Sequence, residues 1–226
     1  MAVLPYAATL TKKTLTSELV LKNLVASSIT MVIVVGLAIP LARRVGLGSA
    51  IIERWLRGEK IGAELLSIIT ISIPSGILAG LLVIGSQAVI NGGLHGSKLN
   101  PPAWQGFLAS FYGAIGEELQ CRFFLMSLIV FVFGLIVNRL TKPPGKGILW
   151  TSNVLAALLF AAAHLPTAAA LGPLTPFTVM AVMVPNTLCG LVFGWLYYSR
   201  GLEAAMIAHF SADILLHVVL PMILHG

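Results

Sequence analysis

The sequence predicts an all-α, polytopic membrane protein of about 6-8 transmembrane helices, and three observations carry that prediction. Of its 226 residues 58% are hydrophobic and only 10% are charged, where a soluble domain is typically about 25% charged. Several stretches exceed the roughly 20 apolar residues that span a bilayer as a helix. None of these stretches alternates apolar and polar residues as barrel strands do over about 10 residues.

The elements follow in order. Residues 1–18 read as a short polar-to-amphipathic lead with Lys12 and Lys13, and no Lys/Arg-led signal peptide is expected. The first span is expected over Leu19–Leu41, ending at Arg43 and Arg44. In Ser49–Lys60, Ile51, Ile52, Trp55 and Leu56 share one helical face while Glu53, Arg54, Arg57 and Lys60 lie mostly elsewhere, the pattern of a helix lying in the membrane interface. Ala63–Ile90 is the second span, with a kink expected at Pro74. A Gly/Pro-rich loop, 91–102, leads to Trp104–Leu140. As one helix that stretch would be about 55 Å long. It is therefore either long, tilted and protruding, or broken near Gly113–Gly116. Thr141–Gly147 reads as a turn. Ile148–Leu165, Pro176–Ser199 and Leu202–Leu224 complete the set, giving six long hydrophobic segments, or seven if the central one crosses twice. Residues 1–99 hold the N-terminal spans and interfacial helix, and 100–226 the functional core, in one integrated membrane domain.

The net charge of +6 resides mainly between spans, which points to membrane topology and lipid headgroups rather than to nucleic acid. Cys121 and Cys189 lie in apolar spans and form no CxxC pair, so they read as buried thiols without a redox or zinc-cluster role.

The informative residues are the ionisable ones inside the spans. A charge at the bilayer centre costs about 2.5–3.5 kcal/mol even on the lenient insertion scale. Glu117, Glu118 and Arg122 lie in the central span, His164 ends another, and His209 and Asp213 lie in the last. Residues four apart share a helix face, so Glu118 can neutralise Arg122 and His209 can meet Asp213. Glu117 points about 100° away from Glu118 and is the carboxylate free to face something else. The depth arithmetic permits Glu117, His164 and His209 to meet near mid-membrane. His95, His217 and His225 read as residues without a functional role.

No Gly-x-Ser-x-Gly and no His-Glu-x-x-His motif is present. Ser110 and Ser211 lie near the polar residues without a nucleophile pattern. A carboxylate with two imidazoles can perform general-base hydrolysis: the Glu takes a proton from water, one His orients that water, and the second faces the developing oxyanion. The same groups could bind a divalent metal, or serve only to pack helices or hold a partner in a non-catalytic scaffold or immunity protein.

Glu-Glu-x-x-x-Arg at 117–122, Phe-x-x-x-His at 160–164 and His-x-x-x-Asp at 209–213 match, in order and spacing, motifs of a known family. With Asn186-x-x-x-Gly190-x-x-x-Gly194-x-x-Tyr197 they make residues 100–220 resemble the CAAX protease and bacteriocin-processing family of intramembrane endopeptidases. The resemblance implies an intramembrane catalytic cavity and glutamate-dependent peptide hydrolysis with no metal and no cofactor. The partners it implies are membrane lipid and a membrane-associated peptide or protein, prenylated CAAX-type substrates included. It implies that Glu117 activates water with His164, that His209 and Asp213 form the oxyanion side, and that Glu118 and Arg122 support Glu117. The CAAX branch typically has Asn where this chain has Asp213. An ionised Asp cannot donate a hydrogen bond, so Asp213 would act protonated or by orienting His209 as a triad Asp does.

If Trp104–Leu140 crosses once, the side carrying 43–60, 139–146 and 200 holds nine Lys and Arg against four on the other, which favours it as cytoplasmic. If that stretch crosses twice or is re-entrant, the assignment changes.

Overall fold

The computed structural model describes residues 4–11, 14–93, 101–137 and 144–225. It is all-helical over these residues, and six helices are long and apolar enough to cross a membrane. The protein is a multi-pass integral membrane protein.

The first helix, α1 (Leu4–Thr11), falls where the sequence suggested only a lead. The first span, α2 (Ser17–Val45), begins earlier and ends later than its apolar run because its caps extend it. The Thr16 hydroxyl accepts from the Leu19 amide at 3.2 Å, and Gly46 closes the helix at φ 74°, a conformation that costs glycine nothing. Most of its apolar side chains stay exposed, Val32 at 73%, as befits a helix facing lipid.

The short α3 (Ala50–Leu56) occupies the middle of the expected interfacial segment, with Trp55 and Leu56 exposed. α4 (Gly62–Asn91) runs through Pro74 as one helix. The central span, α5 (Ala103–Ile136), is continuous. At roughly 50 Å it outruns a hydrocarbon core of about 30 Å. Gly113 and Gly116 do not break it. Instead, residues Tyr112–Glu117 and Leu119–Met126 adopt π-helical, i→i+5 turns, which keep the backbone bonded while widening the helix. Of the expected turn at 141–147, residues 141–143 lie outside the described residues, and Gly145 caps a helix that already starts at Lys146. α6 (Lys146–Ala162) and the short α7 (Leu165–Leu171) follow, then α8 (Pro176–Arg200) and the last span, α9 (Leu202–Leu224).

Small residues let the helices approach. In a membrane, association depends on close packing rather than on expulsion of water, and small residues permit it. A methyl on Gly190 would meet the Cα and Cβ of Ala157 within 3 Å, and one on Gly194 would strike the Asn153 side chain, so α8 lies directly on α6. Gly76 of α4 sits against the backbone of Ala208 in α9 in the same way. α4 is thereby part of the packing that holds α9.

One end of the bundle is tied by specific bonds. The Leu202 amide donates to the Gly48 carbonyl at 3.0 Å. One oxygen of the buried Glu203 accepts from the Ser49 hydroxyl at 2.6 Å and from the Ile52 amide at 2.8 Å. Val45, Val130 and Leu149 pack together at this same end.

Candidate functional site

Five spans and α1 enclose a cavity of about 330 Å³. Glu117 and Gly113 of α5, His164 at the end of α6, Asn186 of α8 and His209, Asp213 and His217 of α9 line it. Glu117, His164, His209 and Asp213, singled out in the sequence, therefore share one wall-to-wall space.

The two adjacent glutamates are divided by the turn of the helix. Glu118 has no exposed surface, and its Oε1 accepts from Arg122 Nη1 at 2.8 Å. Arg122 also donates to the Gly190 carbonyl at 3.2 Å. Its guanidinium lies 4.5 Å from the Phe160 ring centroid and 5.4 Å from that of Phe193, the geometry of cation–π contacts. The Glu117 side chain, 25% exposed, turns into the cavity.

His209 is held on three sides. Its Nδ1 lies 2.7 Å from Glu118 Oε1. A carboxylate already paired with an arginine can only accept, so the imidazole N–H donates. Phe193 stacks on the ring at 4.6 Å between centroids with 20° between planes. The opposite nitrogen, Nε2, faces the cavity, 3.6 Å from Asp213 Oδ1 and 3.9 Å from Glu117 Oε2. The bond at Nδ1, where a triad-like Asp213 would sit, is made by Glu118, and Asp213 stands on the Nε2 side, facing the cavity. Glu118 and Arg122 accordingly touch His209 and the aromatic wall rather than Glu117.

His164 is set by a local bond: its Nδ1 donates to the Phe160 carbonyl at 2.8 Å. A carbonyl can only accept, so Nδ1 carries a proton, and Nε2 is the ring nitrogen left free of that bond. Among the described residues, no group of three or more His, Cys, Asp and Glu side chains has the arrangement of a metal site.

Gly113 makes the arrangement possible. A methyl there would overlap the Asp213 carboxylate and stand 3.0 Å from His209 Nε2. Ser110 and Ser211 each bond a carbonyl one turn back on their own helix, at 2.9 and 2.8 Å, so neither points a free hydroxyl at the site. Cys189 is buried and lines the cavity, while Cys121 is half-buried; both are free thiols.

Two residues escaped the sequence reading. His217 lines the cavity, with Nε2 3.8 Å from Asp213 Oδ1. It is four residues beyond Asp213, so the spacing that paired His209 with Asp213 also marks it. Tyr6 of α1 reaches across the cavity, its phenol oxygen 3.0 Å from His217 Nδ1. Burial, and then the nearby Asp213 charge, raise the phenol above its ordinary range. It therefore keeps its proton while hydrogen-bonded to Nδ1, and His217 Nε2 is the ring nitrogen that faces Asp213. Thr9 anchors α1 by donating to Gln105 Oε1 at 2.8 Å. No pattern in residues 1–18 announces these contacts. His95 lies outside the described residues, as does the side chain of His225.

A second, apolar groove of about 350 Å³ lies between α2 and α5. Tyr112 lines both this groove and the cavity, and Leu24, Met31, Phe111 and Ile115 line the groove.

A family model described as type II CAAX prenyl endopeptidase Rce1-like matches residues 99–215. No curated protein and no solved structure matches the chain.

Proposed function

As the chain belongs to the Rce1-like family of type II CAAX prenyl endopeptidases, we propose that its cavity is the active site of a glutamate-dependent intramembrane endopeptidase. The observation that carries this reading is the meeting of Glu117, His164, His209 and Asp213 in one cavity, with Glu117 the carboxylate turned into it.

In this mechanism a water between Glu117 and His164 gives its proton to Glu117 as its oxygen attacks the scissile carbonyl carbon. General-base help of this kind contributes about 10²–10⁴ in rate. The carbonyl oxygen takes up the electron pair and faces a proton on His209 Nε2, which Glu118 and Phe193 hold in place. Asp213 stabilises the charge on that imidazole. When the tetrahedral intermediate collapses, the C–N bond breaks and the leaving amine takes the proton from Glu117. The substrate is a membrane-associated peptide or protein, and the apolar groove beside Tyr112 receives its apolar part.

The test is cleavage profiling by mass spectrometry with purified wild type and Glu117→Gln. The peptide library includes farnesylated CAAX peptides, and each arm is run with and without chelator. Cleavage by the wild type alone, indifferent to chelator, is the expected result. Cleavage abolished by chelator and restored by zinc would assign the chemistry to a metal. Full activity in Glu117→Gln would refute the assignment of the base.

A further inference from the structure

We propose that His217 is a positioning residue of the site, held in place by Tyr6 of α1, and that it keeps the Asp213 carboxylate against His209. The N-terminal helix thereby completes the active-site wall. The effect on cleavage rests on the protease reading; the geometry can be tested without cleavage.

Three features bring His217 into the cavity. The last span changes its winding there, since Leu215–Val219 adopts π-helical turns. Such i→i+5 turns shift the register of the side chains that follow and recur at functional sites. Gly106 lets α5 close on the same point, because a methyl there would overlap the His217 carbonyl and stand 3.1 Å from its Cβ. Tyr6 then fixes the ring from a third element. Its phenol oxygen lies 3.0 Å from Nδ1, and the two rings meet edge to face with centroids 5.3 Å apart. Thr9 ties α1 to Gln105, the residue next to Gly106.

An imidazole bonded at Nδ1 has one ring nitrogen left to present. His217 Nε2 lies 3.8 Å from Asp213 Oδ1. The same oxygen lies 3.6 Å from His209 Nε2. Asp213 Oδ1 therefore stands between two imidazoles, one a turn before it on α9 and one a turn after it. Its Oδ2 is set against α5 at Gly113, where a methyl would overlap it. Without His217 the carboxylate is held from one side only and can turn away from His209. Misplacement of a group near the reacting atoms by 1 Å can cost about 100-fold in rate.

The kinetic test uses purified full-length protein and the farnesylated CAAX peptides of the cleavage profiling. His217→Phe keeps a ring and removes both nitrogens. It should lower kcat roughly 10–100-fold and leave KM nearly unchanged. His217→Gln keeps a nitrogen near the place of Nε2 and should recover part of that loss. Tyr6→Phe should lower kcat several-fold in the wild type and not at all in His217→Phe, because Tyr6 acts through His217. Additive losses, equal losses in His217→Phe and His217→Gln, or a raised KM with kcat intact would overturn the proposal. Nitrogen NMR of histidine-labelled protein in detergent reads the geometry without a substrate. Tyr6→Phe should move the ring signals of His217, and His217→Phe should move the Nε2 signal of His209. Unmoved signals in either variant also overturn it, and Tyr6→Phe suffices alone if His217→Phe does not fold. Signals that move as expected in a wild type that cuts no peptide would defeat the protease reading alone. Additive variants of an active wild type would defeat the positioning role alone.

Discussion

The two ends of this bundle hold charge in opposite ways. At the basic end Arg54 pairs with Glu59 and Glu64, Arg57 with Glu59 and Arg43 with Glu53, all at least one-third exposed. Arg57 and then Arg54 hold the Glu59 carboxyl below its ordinary range, yet water and salt screen these pairs and leave them little net value. At the cavity end the same residue types are buried and fixed. Glu118, Arg122 and His209 form one connected set with almost no exposed surface. A charge in that position is costly alone and stable only with its partners. The difference shows that burial and partners, rather than residue type, decide which charges the protein depends on.

The sharpest way to test that contrast is to compare the neighbours Glu117 and Glu118. Glu117→Gln should reduce cleavage by about 10²–10⁴ with thermal melting in detergent unchanged. Glu118→Gln should lower the melting temperature, because it weakens the hold on both Arg122 and His209. Equal effects on activity and stability in both variants would erase the distinction. Arg122→Met strands Glu118 without its cation and should cost about 3–5 kcal/mol of stability, read as loss of folded protein in a melt. Gly113→Ala forces Asp213 and His209 apart. It should cost about 1–3 kcal/mol and reduce cleavage roughly 100-fold through misplacement of reacting groups. Tyr6→Phe removes one hydrogen bond, worth about 1 kcal/mol, and should change kcat/KM only several-fold. Arg54→Ala, at the exposed end, should leave both melting and cleavage unchanged at physiological salt. A large loss there would break the comparison.

The sequence made the spans legible because each needs only length and hydropathy. It also exposed the Glu118–Arg122 pair, since four-residue spacing on a helix is a local property. It did not reveal whether α5 breaks at Gly113 and Gly116. Those glycines look like breaks, but they are where the helix accommodates the Asp213 and His209 side chains and the Tyr112 ring. The bond from His209 to Glu118 joins residues 91 positions apart, and no periodicity encodes such a contact. Hence Asp213 looked like the partner that orients His209. His217 followed the same spacing as its neighbours but sits in an apolar tail where a lone histidine usually has no function. Tyr6 carried no signal at all, because its role depends on α1 folding back over the cavity.

The Glu118–Arg122 bond has a consequence for the order in which the protein is made. Both residues lie on α5, so their hydrogen bond needs no other helix and can form as soon as that segment coils. α8, which supplies the Gly190 carbonyl, and α9, which supplies His209, are translated later. A glutamate and an arginine can thus enter the bilayer as one neutral couple during synthesis. The charge cost of inserting α5 is reduced before the site exists, and the couple then serves as the fixed template on which the later helices dock.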